Sequence, residues 1–383
     1  MPFGDFSGNA ATVANLRESI RAGRFPHSMI LAGPRGAGKY TLALMLAKAV
    51  NCLNPVETPT ASDVLPDFCG RCANCTRIAD AANLEERVAE AVEAREDLRE
   101  TDKRETRILI QTHPDVLIIP PDPPQLMIKL GQIRQAIHAA YYRPPIEARR
   151  AFTIFTSSAF MKEAANSLLK LLEEPPDHTS LILLTENPQE LLPTIRSRAV
   201  VHRLGALPPA ELESLLAARR PELKPQQRSL VARLAEGAVG RALAFDLESY
   251  LAGRQDALII LRTALRDHAA ASSSSSHQEA DYSTLFHATE SYRAGADGQE
   301  KTVNLLRALG SLVEDLLLIV AGTPALIRNL DLAAELTRLA EGLTVDWIDS
   351  AARALVQVEQ GMRRNLLRSL SLDAMTVSMT ASA

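Results

Sequence analysis

A glycine-rich loop, GPRGAGKY at residues 33–40, constrains the fold of this chain more than any other feature. It matches the pattern G-x-x-x-x-G-K, in which backbone N–H groups, a helix N-terminus and the lysine together hold phosphate groups. The apolar stretch SMILA (28–32) precedes the loop, and TLALMLAKAVN (41–51), which has helical periodicity, follows it. Strand, loop and helix in this order predict an α/β domain with a phosphate site. The candidate residues of that site are Gly33, Gly36, Gly38, Lys39, Tyr40 and Thr41.

The last position of the loop departs from the pattern. A Ser or Thr hydroxyl at this position normally ligates the Mg²⁺ of a bound nucleotide, and this chain has Tyr40 instead. Thr41 is not a substitute, because the next residue of a helix points about 100° away around the axis. Tyr40 therefore weakens metal binding specifically and leaves the phosphate site in place.

The rest of the first half alternates between strand and helix patterns. HPDVLII (113–119) and RAFTIFT (150–156) are predicted strands, and LGQIRQAIHAAYY (130–142) is a predicted helix. Proline-rich breaks lie at 120–125 and 144–145. This alternation predicts a parallel sheet, in which ligands bind at the carboxyl ends of the strands.

The strand at 150–156 ends without acidic residues. A hydrolysing phosphate-loop enzyme places carboxylates at such a strand end, where they hold Mg²⁺ and position the attacking water. This strand ends in Phe155 and Thr156, and the next carboxylate is Glu163, in the following helix. Because two metal-handling positions are lost together, the sequence predicts a site compatible with ATP or ADP binding but without hydrolysis.

A charged segment at 84–107 carries nine acidic and six basic residues between Glu85 and Arg107. Opposite charges recur at helical neighbour spacing, as in Glu96 with Arg99. The segment is therefore predicted to be a solvated helix, to which no function is assigned.

All four cysteines of the chain lie between residues 52 and 75. The spacing C-x-x-C-x-x-C is typical of thiolate metal ligands on a loop, and four thiolates favour a structural Zn²⁺. Free or disulfide-paired cysteines are one alternative, and an iron–sulfur cluster is another, although no Cys-Pro follows and the fourth cysteine lies upstream. The predicted zinc ligands are Cys52, Cys69, Cys72 and Cys75.

Composition limits the partners that the chain can bind alone. With 383 residues, 46% hydrophobic and 23% charged side chains, it can bury a large core and divide into two or three domains. A formal net charge of -4 argues against a chain-wide electrostatic grip on DNA. The N-terminal residues lack a signal-peptide pattern, and no run approaches the roughly 18 apolar residues of a membrane span. We therefore expect a soluble, cytoplasmic protein without a membrane partner.

Several motifs together resemble clamp-loader subunits of the AAA+ superfamily. The run NSLLKLLEEPPDHTSLILLTENPQELLPTIRSR (166–198) is similar to their signature region. FPHSMILAGPRGAGKYTLALMLAKAVNC (25–52), CGRCANC (69–75) and THPDV (112–116) are similar to the same family in the same order. The resemblance covers most of residues 1–204, whereas the C-terminal half is similar only in its helical character.

The resemblance implies three domains. Residues 1–204 would form an α/β AAA+ phosphate-loop domain that includes a zinc module at 52–80 and the insertion at 84–107. Residues 205–247, with breaks at Gly237 and Gly240, would form a small helical lid domain. Residues 248–383 would form an all-α collar that joins subunits in a ring.

The C-terminal part leaves an alternative to a collar. TVNLLRALGSLVEDLLLIVAG (302–322) is apolar around most of its circumference, so it must be buried by its own domain or by neighbours. The core of a monomeric helical bundle is therefore the other interpretation. The polar, serine-rich stretch at 269–283, which includes 272–276, is predicted to be a mobile loop of unassigned role.

The resemblance also implies roles for single residues. Thr185 would match the family's nucleotide-sensing polar residue, and Arg241 its lid-domain sensor arginine. Arg198 would be the arginine finger that reaches the ATP of a neighbouring subunit, although Ala199 replaces the cysteine of the family's Ser-Arg-Cys motif. Without the resemblance, both arginines would be interpreted as solvated or salt-bridging residues and Thr185 as a strand-end hydroxyl.

Lost acidic residues together with a retained finger resemble the delta-prime class of bacterial DNA polymerase III. That class implies a stationary, non-hydrolysing subunit in a ring with gamma/tau and delta subunits, acting on the sliding clamp and primer-template DNA. The alternatives are an active gamma/tau-like ATPase motor and a small-molecule phosphotransferase on the same loop. The motor needs the missing loop hydroxyl and strand-end acids, and the phosphotransferase has no use for a ring-forming helical domain.

Overall fold

The computed structural model describes residues 2–60, 63–123, 125–142, 145–272, 288–290, 292, 295–362 and 368–380. They form two compact units. Unit 1 contains the residues up to 208 together with 237–241, and unit 2 contains 209–236 together with the residues from 242 onward. The predicted division into domains at residues 204 and 247 stays a prediction. Pro144 of the predicted proline turn and nearly all of the serine-rich stretch lie outside the described residues.

Unit 1 is built on one large sheet and a small hairpin. Its strands are β1 (Ser28–Ala32), β2 (Val56–Pro59), β3 (Val64–Asp67), β4 (Ile110–His113), β5 (Val116–Ile119), β6 (Ala151–Phe155), β7 (Thr179–Thr185) and β8 (Val200–Arg203). Its helices are α1 (Ala10–Arg21), α2 (Lys39–Asn51), α3 (Ala73–Ala79), α4 (Leu84–Glu96), α5 (Glu100–Glu105), α6 (Leu130–Tyr142), α7 (Lys162–Glu173) and α8 (Pro193–Arg196).

The large sheet has the order β4-β5-β6-β7-β1-β8. All neighbours pair in parallel except β4, which pairs antiparallel with β5. The predicted α/β fold is confirmed, and the predicted parallel sheet is parallel except at this edge. The antiparallel edge was not predicted: a turn at Pro114 and Asp115 interrupts the predicted strand at 113–119, so that β4 and β5 run in opposite directions. The Asp115 carboxylate accepts backbone hydrogen bonds from Ile146 (3.0 Å), Glu147 (2.9 Å) and Ala148 (2.9 Å), which attach the start of β5 to the segment before β6.

The strand before the glycine loop lies in the middle of the core. All five residues of β1 are buried, as expected for a strand covered on both faces. Met29 and Leu31 belong to a core cluster with residues of α1 and α2, whereas Ile30 and Ala32 belong to a second cluster with residues of α6 and α7. The carboxyl end of β1 is therefore packed on both faces, and the loop starts from this buried position.

The cysteine-rich region carries a hairpin that sequence reasoning missed. β2 and β3 pair antiparallel within the predicted zinc module. Buried Arg17 of α1 donates to the carbonyl oxygens of Leu65 (2.6 Å) and Pro66 (2.9 Å) and so ties the hairpin to α1. The cysteine-rich region is thereby packed onto the main body of unit 1.

The charged segment differs from the predicted single solvated helix. It forms two helices, α4 and α5, and α4 has one face on the protein: Leu84, Val88 and Ala91 pack against the core cluster of α1 and α2. At the other end of α4, Arg95 pairs with the fully buried carboxylate of Asp122, with 2.6 Å between nitrogen and oxygen. The sequence did not predict this apolar face of α4, because only a few apolar residues form it and charged residues lie between them.

The described part of unit 2 is helical. Its helices are α9 (Pro209–Arg219), α10 (Pro225–Leu234), α11 (Val239–Leu243, which begins in unit 1), α12 (Leu247–Ser272), α13 (Gly295–Val320), α14 (Ala333–Leu339), α15 (Val345–Met362) and α16 (Arg368–Thr380). The predicted burial of the apolar helix at 302–322 is confirmed within this unit, since Leu305, Leu309, Leu312 and Leu316 of α13 are all fully buried. Among the helices that the structure describes, none combines the length and apolarity needed to cross a membrane.

Candidate functional site

The phosphate loop links the end of β1 to the start of α2. Gly36 and Gly38 have φ values of 83° and 84°, a conformation that side chains other than that of glycine rarely adopt. Both glycines are also closely covered. A Cβ on Gly38 would lie 2.9 Å from the Phe6 ring, and a Cβ on Gly36 would lie 2.8 Å from the backbone nitrogen of Arg241. The loop therefore has the backbone shape that the sequence pattern predicts, and it is held from two sides.

Lys39, the first residue of α2, folds back over the loop. Its ammonium donates to the carbonyl oxygens of Gly33 (2.6 Å) and Pro34 (2.9 Å). Burial lowers the pKa of Lys39, and the nearby carboxylate of Glu186 opposes that shift. The lysine is thus positioned on the loop that would hold phosphate groups.

Tyr40 occupies the position of the missing Mg²⁺ ligand and has a different use. Its hydroxyl donates to the carbonyl oxygen of Ala81 at 2.6 Å, and its ring packs against the core. Burial raises the pKa of this hydroxyl, so it stays a neutral donor. The side chain therefore joins α2 to the segment between α3 and α4 and leaves no hydroxyl to a metal at this position.

A cleft of about 980 Å³ opens above the carboxyl ends of the strands, as predicted for a parallel sheet. Its walls come from the phosphate loop with the start of α2, from the first turns of α4, from the segments after β5 and β6, from the end of β7 and from Gly240. Lys39, Tyr40, Thr41 and Thr185 of the predicted site line this cleft together.

The end of β6 brings no carboxylate into the cleft. Phe155 is fully buried, and Thr156, Ser157 and Ser158 line the cleft in the place where a hydrolytic site would carry its acidic residues. The Ser158 hydroxyl donates to the Glu190 carboxylate at 2.6 Å. This strand end thus presents hydroxyl groups, which are weak ligands for Mg²⁺ compared with carboxylates.

Three carboxylates in the cleft were missed by sequence reasoning. Glu186 and Glu190 follow the end of β7, and Glu85 lies in the first turn of α4. The strand-end rule would have found Glu186 and Glu190 if it had been applied to β7 as well as to β6. No sequence signal places Glu85 there, because its position depends on how α4 packs.

Thr185 is used locally. It is buried at the end of β7, where its hydroxyl donates to the carbonyl oxygen of Asn187 at 2.8 Å and accepts from the backbone N–H of Asn187 at 3.1 Å. These bonds hold the turn that carries Glu186 and Glu190 into the cleft. A sensing role for Thr185 stays a prediction.

The backbone around Arg241 lies directly on the phosphate loop. The N–H of Gly240 donates to the carbonyl oxygen of Gly36 at 2.8 Å. Gly240 itself lines the cleft. The start of α11 is thus joined to the loop by its backbone, and a sensing role for the Arg241 side chain stays a prediction.

Arg198 lies in another part of unit 1 and does not line the cleft. Its guanidinium pairs with Glu173 at the end of α7 (2.7 Å) and donates to the carbonyl oxygen of Thr194 (2.9 Å). One third of the side chain is exposed. Arg198 is therefore unsuited to act on a nucleotide in its own cleft, and its partially exposed guanidinium faces solvent beside Glu173.

The four cysteines meet in one cluster. Their Sγ atoms all lie within 4.8 Å of one another, and no disulfide joins them. Zn–S bonds of about 2.3 Å in a tetrahedron require sulfur atoms about 3.8 Å apart. The Sγ atom of Cys52 lies 3.5 Å from that of Cys69, 3.9 Å from that of Cys72 and 3.7 Å from that of Cys75. The donor set therefore fits a tetrahedral zinc ion in both chemistry and spacing.

The environments of the thiols differ. Burial opposes ionisation of Cys72, but hydrogen bonds from the backbone N–H groups of Cys75 and Leu53 outweigh it and lower the pKa of Cys72 to about 6. Burial raises the pKa of Cys75 and also that of Cys52, where hydrogen bonds from the backbone N–H groups of Cys69 and Asn54 oppose the shift. The four cysteines would hold the metal ion as thiolates, and Cys72 is the one that ionises most readily without it.

Comparison with known proteins gives the family. Residues 8–208 match the family described as DNA polymerase III, delta subunit. The chain is 31% identical over 220 residues to DNA polymerase III subunit delta' of Bacillus subtilis, and the aligned region covers 57% of this chain and 54% of the relative. It is 30% identical over 215 residues to DNA polymerase III subunit gamma/tau of Mycobacterium tuberculosis, covering 56% of this chain and 30% of the relative.

A further relative is DNA polymerase III subunit tau of Escherichia coli, 27% identical over 66% of this chain and 33% of the relative. The matched region thus spans about half or less of the length of these curated relatives. Among solved structures, a DNA polymerase III gamma subunit-related protein of Thermotoga maritima is 16% identical, with a TM-score of 0.41, over 97% of this chain and 99% of that one.

Proposed function

The chain belongs to the family described as DNA polymerase III, delta subunit, and from this premise we propose that it is a non-hydrolysing AAA+ clamp-loader subunit of the delta-prime type. It scaffolds a cytoplasmic, hetero-oligomeric ring with gamma/tau and delta subunits, and the ring loads the sliding clamp onto primer-template DNA. One observation carries the proposal: a phosphate loop with its lysine in place faces a β6 strand end that has no carboxylate.

The cleft supports nucleotide binding without turnover. The loop backbone and Lys39 can hold the phosphates of ATP or ADP, and the nearby Thr185 and Arg241 are the proposed nucleotide sensors. Hydrolysis requires a metal ion and a positioned water, for which a phosphate-loop enzyme uses the loop hydroxyl and the strand-end acids. Here Tyr40 donates to Ala81, and Thr156 and Ser157 stand at the strand end. The site keeps its anion-binding loop and lacks both the loop hydroxyl and the carboxylates at the end of β6.

The finger role of Arg198 rests on its place outside the cleft. A guanidinium supplied across a subunit interface stabilises the charge that develops on a transferred phosphoryl group, which is worth on the order of 10³ to 10⁵ in rate. Arg198 is partly exposed, and Glu173 holds its planar group at 2.7 Å. In the ring, Arg198 would exchange this solvent-screened ion pair, which is worth little on a surface, for the phosphates of the neighbour.

We assign the cysteine cluster to one structural Zn²⁺. Four sulfur ligands close the tetrahedral shell, so no position remains for a water or a substrate. When bound, the ion supplies a cross-link between the end of α2, at Cys52, and the start of α3, at Cys72 and Cys75. Its role is to hold the cysteine-rich region on unit 1 and not to take part in phosphate chemistry.

The test is ATP hydrolysis by the reconstituted ring in the presence of clamp and primed DNA. We expect Arg198→Ala to lower the hydrolysis rate of the neighbouring motor subunit by at least about tenfold, and Arg198→Lys to fail as well, because a point charge does not reproduce the planar fork. Arg196→Ala is the matched control, since Arg196 lies two residues away and donates to Gln189. Lys39→Ala should have a much smaller effect. Unchanged hydrolysis with Arg198→Ala, in a ring that still assembles, would refute the finger role.

The alternative is an active ATPase motor subunit, which the similarity to proteins named gamma/tau and tau favours. The two roles separate in the purified chain. A motor hydrolyses ATP by itself in a reaction that depends on Lys39, whereas the proposed subunit does so at no rate above background. A Lys39-dependent turnover near the order of one per second, as in ordinary phosphate-loop enzymes, would favour the motor.

A further inference from the structure

The inserted helix α4 is a wall of the phosphate-loop cleft. Leu84, Glu85, Val88 and Ala89, all from its first two turns, line the same cleft as Lys39. Leu84 and Val88 also pack against the core cluster of α1 and α2. The start of α4 is therefore fixed on the body of unit 1 and faces the site. A helix that is only a solvated insertion would have no such face.

The residue that replaces the Mg²⁺ ligand also holds this helix. The Tyr40 hydroxyl donates at 2.6 Å to Ala81, which lies two residues before the capping residue of α4. That capping residue is Asn83, whose side chain accepts from the N–H of Glu86 and donates to its carboxylate (2.9 Å). The loss of the metal-binding hydroxyl and the placement of the insertion are thus parts of one arrangement.

A buried ion pair fixes the far end of α4. Arg95 lies 2.6 Å from the carboxylate of Asp122, whose side chain is 0% exposed, and Lys129 lies 3.5 Å from the same carboxylate. Asp122 belongs to the segment after β5 that also brings Pro121 and Pro123 into the cleft wall. Both ends of α4 are therefore attached to elements that line the cleft, so the helix cannot swing away without breaking a buried contact.

The charges in the cleft favour a short phosphate chain. Lys39 and Arg35 are the cationic side chains among the described residues that line it, and both belong to the loop that would hold the first two phosphates. The other elements that line the cleft contribute the carboxylates of Glu85, Glu186 and Glu190, and that of Glu186 is close enough to Lys39 to act on its pKa. A third phosphate without a metal ion would lie near these carboxylates, and like charges repel strongly in a partly desolvated cleft.

We propose that α4, held by Tyr40 and by the Arg95–Asp122 pair, restricts the cleft to a nucleoside diphosphate bound without a divalent cation. Glu85 is then a specificity residue, and Tyr40 is a positioning residue that acts through α4. The inference rests on the proposed nucleotide binding by the phosphate loop and does not depend on Arg198 or on ring assembly.

The test is titration calorimetry of the full chain with ADP and with ATP, each with and without Mg²⁺. We expect ADP to bind at least about tenfold more tightly than ATP, and Mg²⁺ to leave the affinity for ADP unchanged, because its loop ligand is missing. Glu85→Lys should strengthen ATP binding and so reduce the ratio of the ADP affinity to the ATP affinity by about three- to tenfold. Glu93→Lys is its matched control, since Glu93 lies on the same helix with its carboxylate outside the cleft.

Tyr40→Phe separates the positioning role from the charge effect. It removes only the bond to Ala81, so it should narrow the preference for ADP and raise the hydrogen-exchange rate of residues 84–96. Tyr141→Phe is the matched control, because the Tyr141 hydroxyl also donates to a backbone carbonyl oxygen, that of Glu174, at 2.7 Å. The control should change neither quantity.

Equal affinities of the wild-type protein for ADP and ATP, or a preference that neither Glu85→Lys nor Tyr40→Phe changes, would overturn the inference. Wild-type protein that binds neither nucleotide would overturn it too, while the proposed function would stand if Arg198→Ala still lowered hydrolysis by the ring. The reverse pattern, a preference for ADP with no effect of Arg198→Ala, would support this inference and refute the finger role.

Discussion

Removing Arg95 should destabilise unit 1 although this residue belongs to a charged insertion. Its partner Asp122 is fully buried, and the side chain of Arg95 is only 11% exposed. Breaking a buried pair by removing one partner typically costs about 3–5 kcal/mol, because the remaining charge stays desolvated. Lys129, at 3.5 Å, can compensate part of that charge. We therefore expect Arg95→Ala to lower the free energy of unfolding of unit 1 by about 2–3 kcal/mol.

The magnitude sets the assay. With a urea m-value of about 2–3 kcal/mol per molar for a unit of this size, the loss corresponds to a midpoint shift of about 1 M urea. The unfolding of unit 1 is followed by hydrogen exchange of the β1 and β7 peptides at increasing urea. The fluorescence of Trp347, the single tryptophan of the chain, reports on unit 2 and provides the internal reference.

Arg87→Ala is the matched control on the same helix. Arg87 pairs with Glu90 at 2.9 Å, but 34% and 52% of the two side chains are exposed. Exposed pairs contribute only about 0–1 kcal/mol, so this variant should stay within that range. Equal, small effects of Arg95→Ala and Arg87→Ala would refute the argument that the far end of α4 is held by a buried ion pair.

Three other predictions concern the metal, the reaction and pH. Elemental analysis should find one zinc per wild-type chain and none in Cys72→Ala, and the free energy of unfolding of unit 1 should be lower in this variant. Four freely titrating thiols in the native protein would contradict the zinc site. Tyr40→Ser should restore a hydroxyl to the loop without restoring ATP hydrolysis, since Thr156 and Ser157 still stand at the end of β6; turnover above background would show that the strand-end loss is not decisive. Burial lowers the pKa of His113, and the carboxylate of Asp115 opposes that shift. Below about pH 6.5 the unfolded chain therefore binds more protons at this residue than the folded chain does, so the free energy of unfolding of unit 1 should decrease as the pH falls through that value. His113→Asn, whose amide oxygen can still accept from the Asp115 N–H, should flatten this loss in urea titrations between about pH 6.5 and 5, and an unchanged slope would assign it to other groups.

Several properties of the protein are determined by short stretches of its sequence. Gly36, Gly38 and Lys39 shape the phosphate loop because positive φ angles and a lysine at a helix start are local requirements. Phe155 and Thr156 remove the metal ligands of a strand end by their identity alone. The clustering of the cysteines in one window likewise predicts a four-sulfur site before their Sγ atoms are seen within 4.8 Å of one another. Each of these depends on residues that are close together in the chain.

The tertiary structure decided which distant groups meet. The sequence shows Tyr40 only as the loss of a metal ligand. The structure shows that its hydroxyl donates to the carbonyl oxygen of Ala81, 41 positions away, and so holds the start of α4. Arg198 forms an ion pair with Glu173 at the end of another helix. Glu85 lines the cleft only because α4 packs on the core. A long polar side chain has many partners within reach in an unfolded chain, and packing of the buried apolar faces selects one of them. The phosphate loop could therefore be predicted from local pattern, whereas the wall that faces it could not.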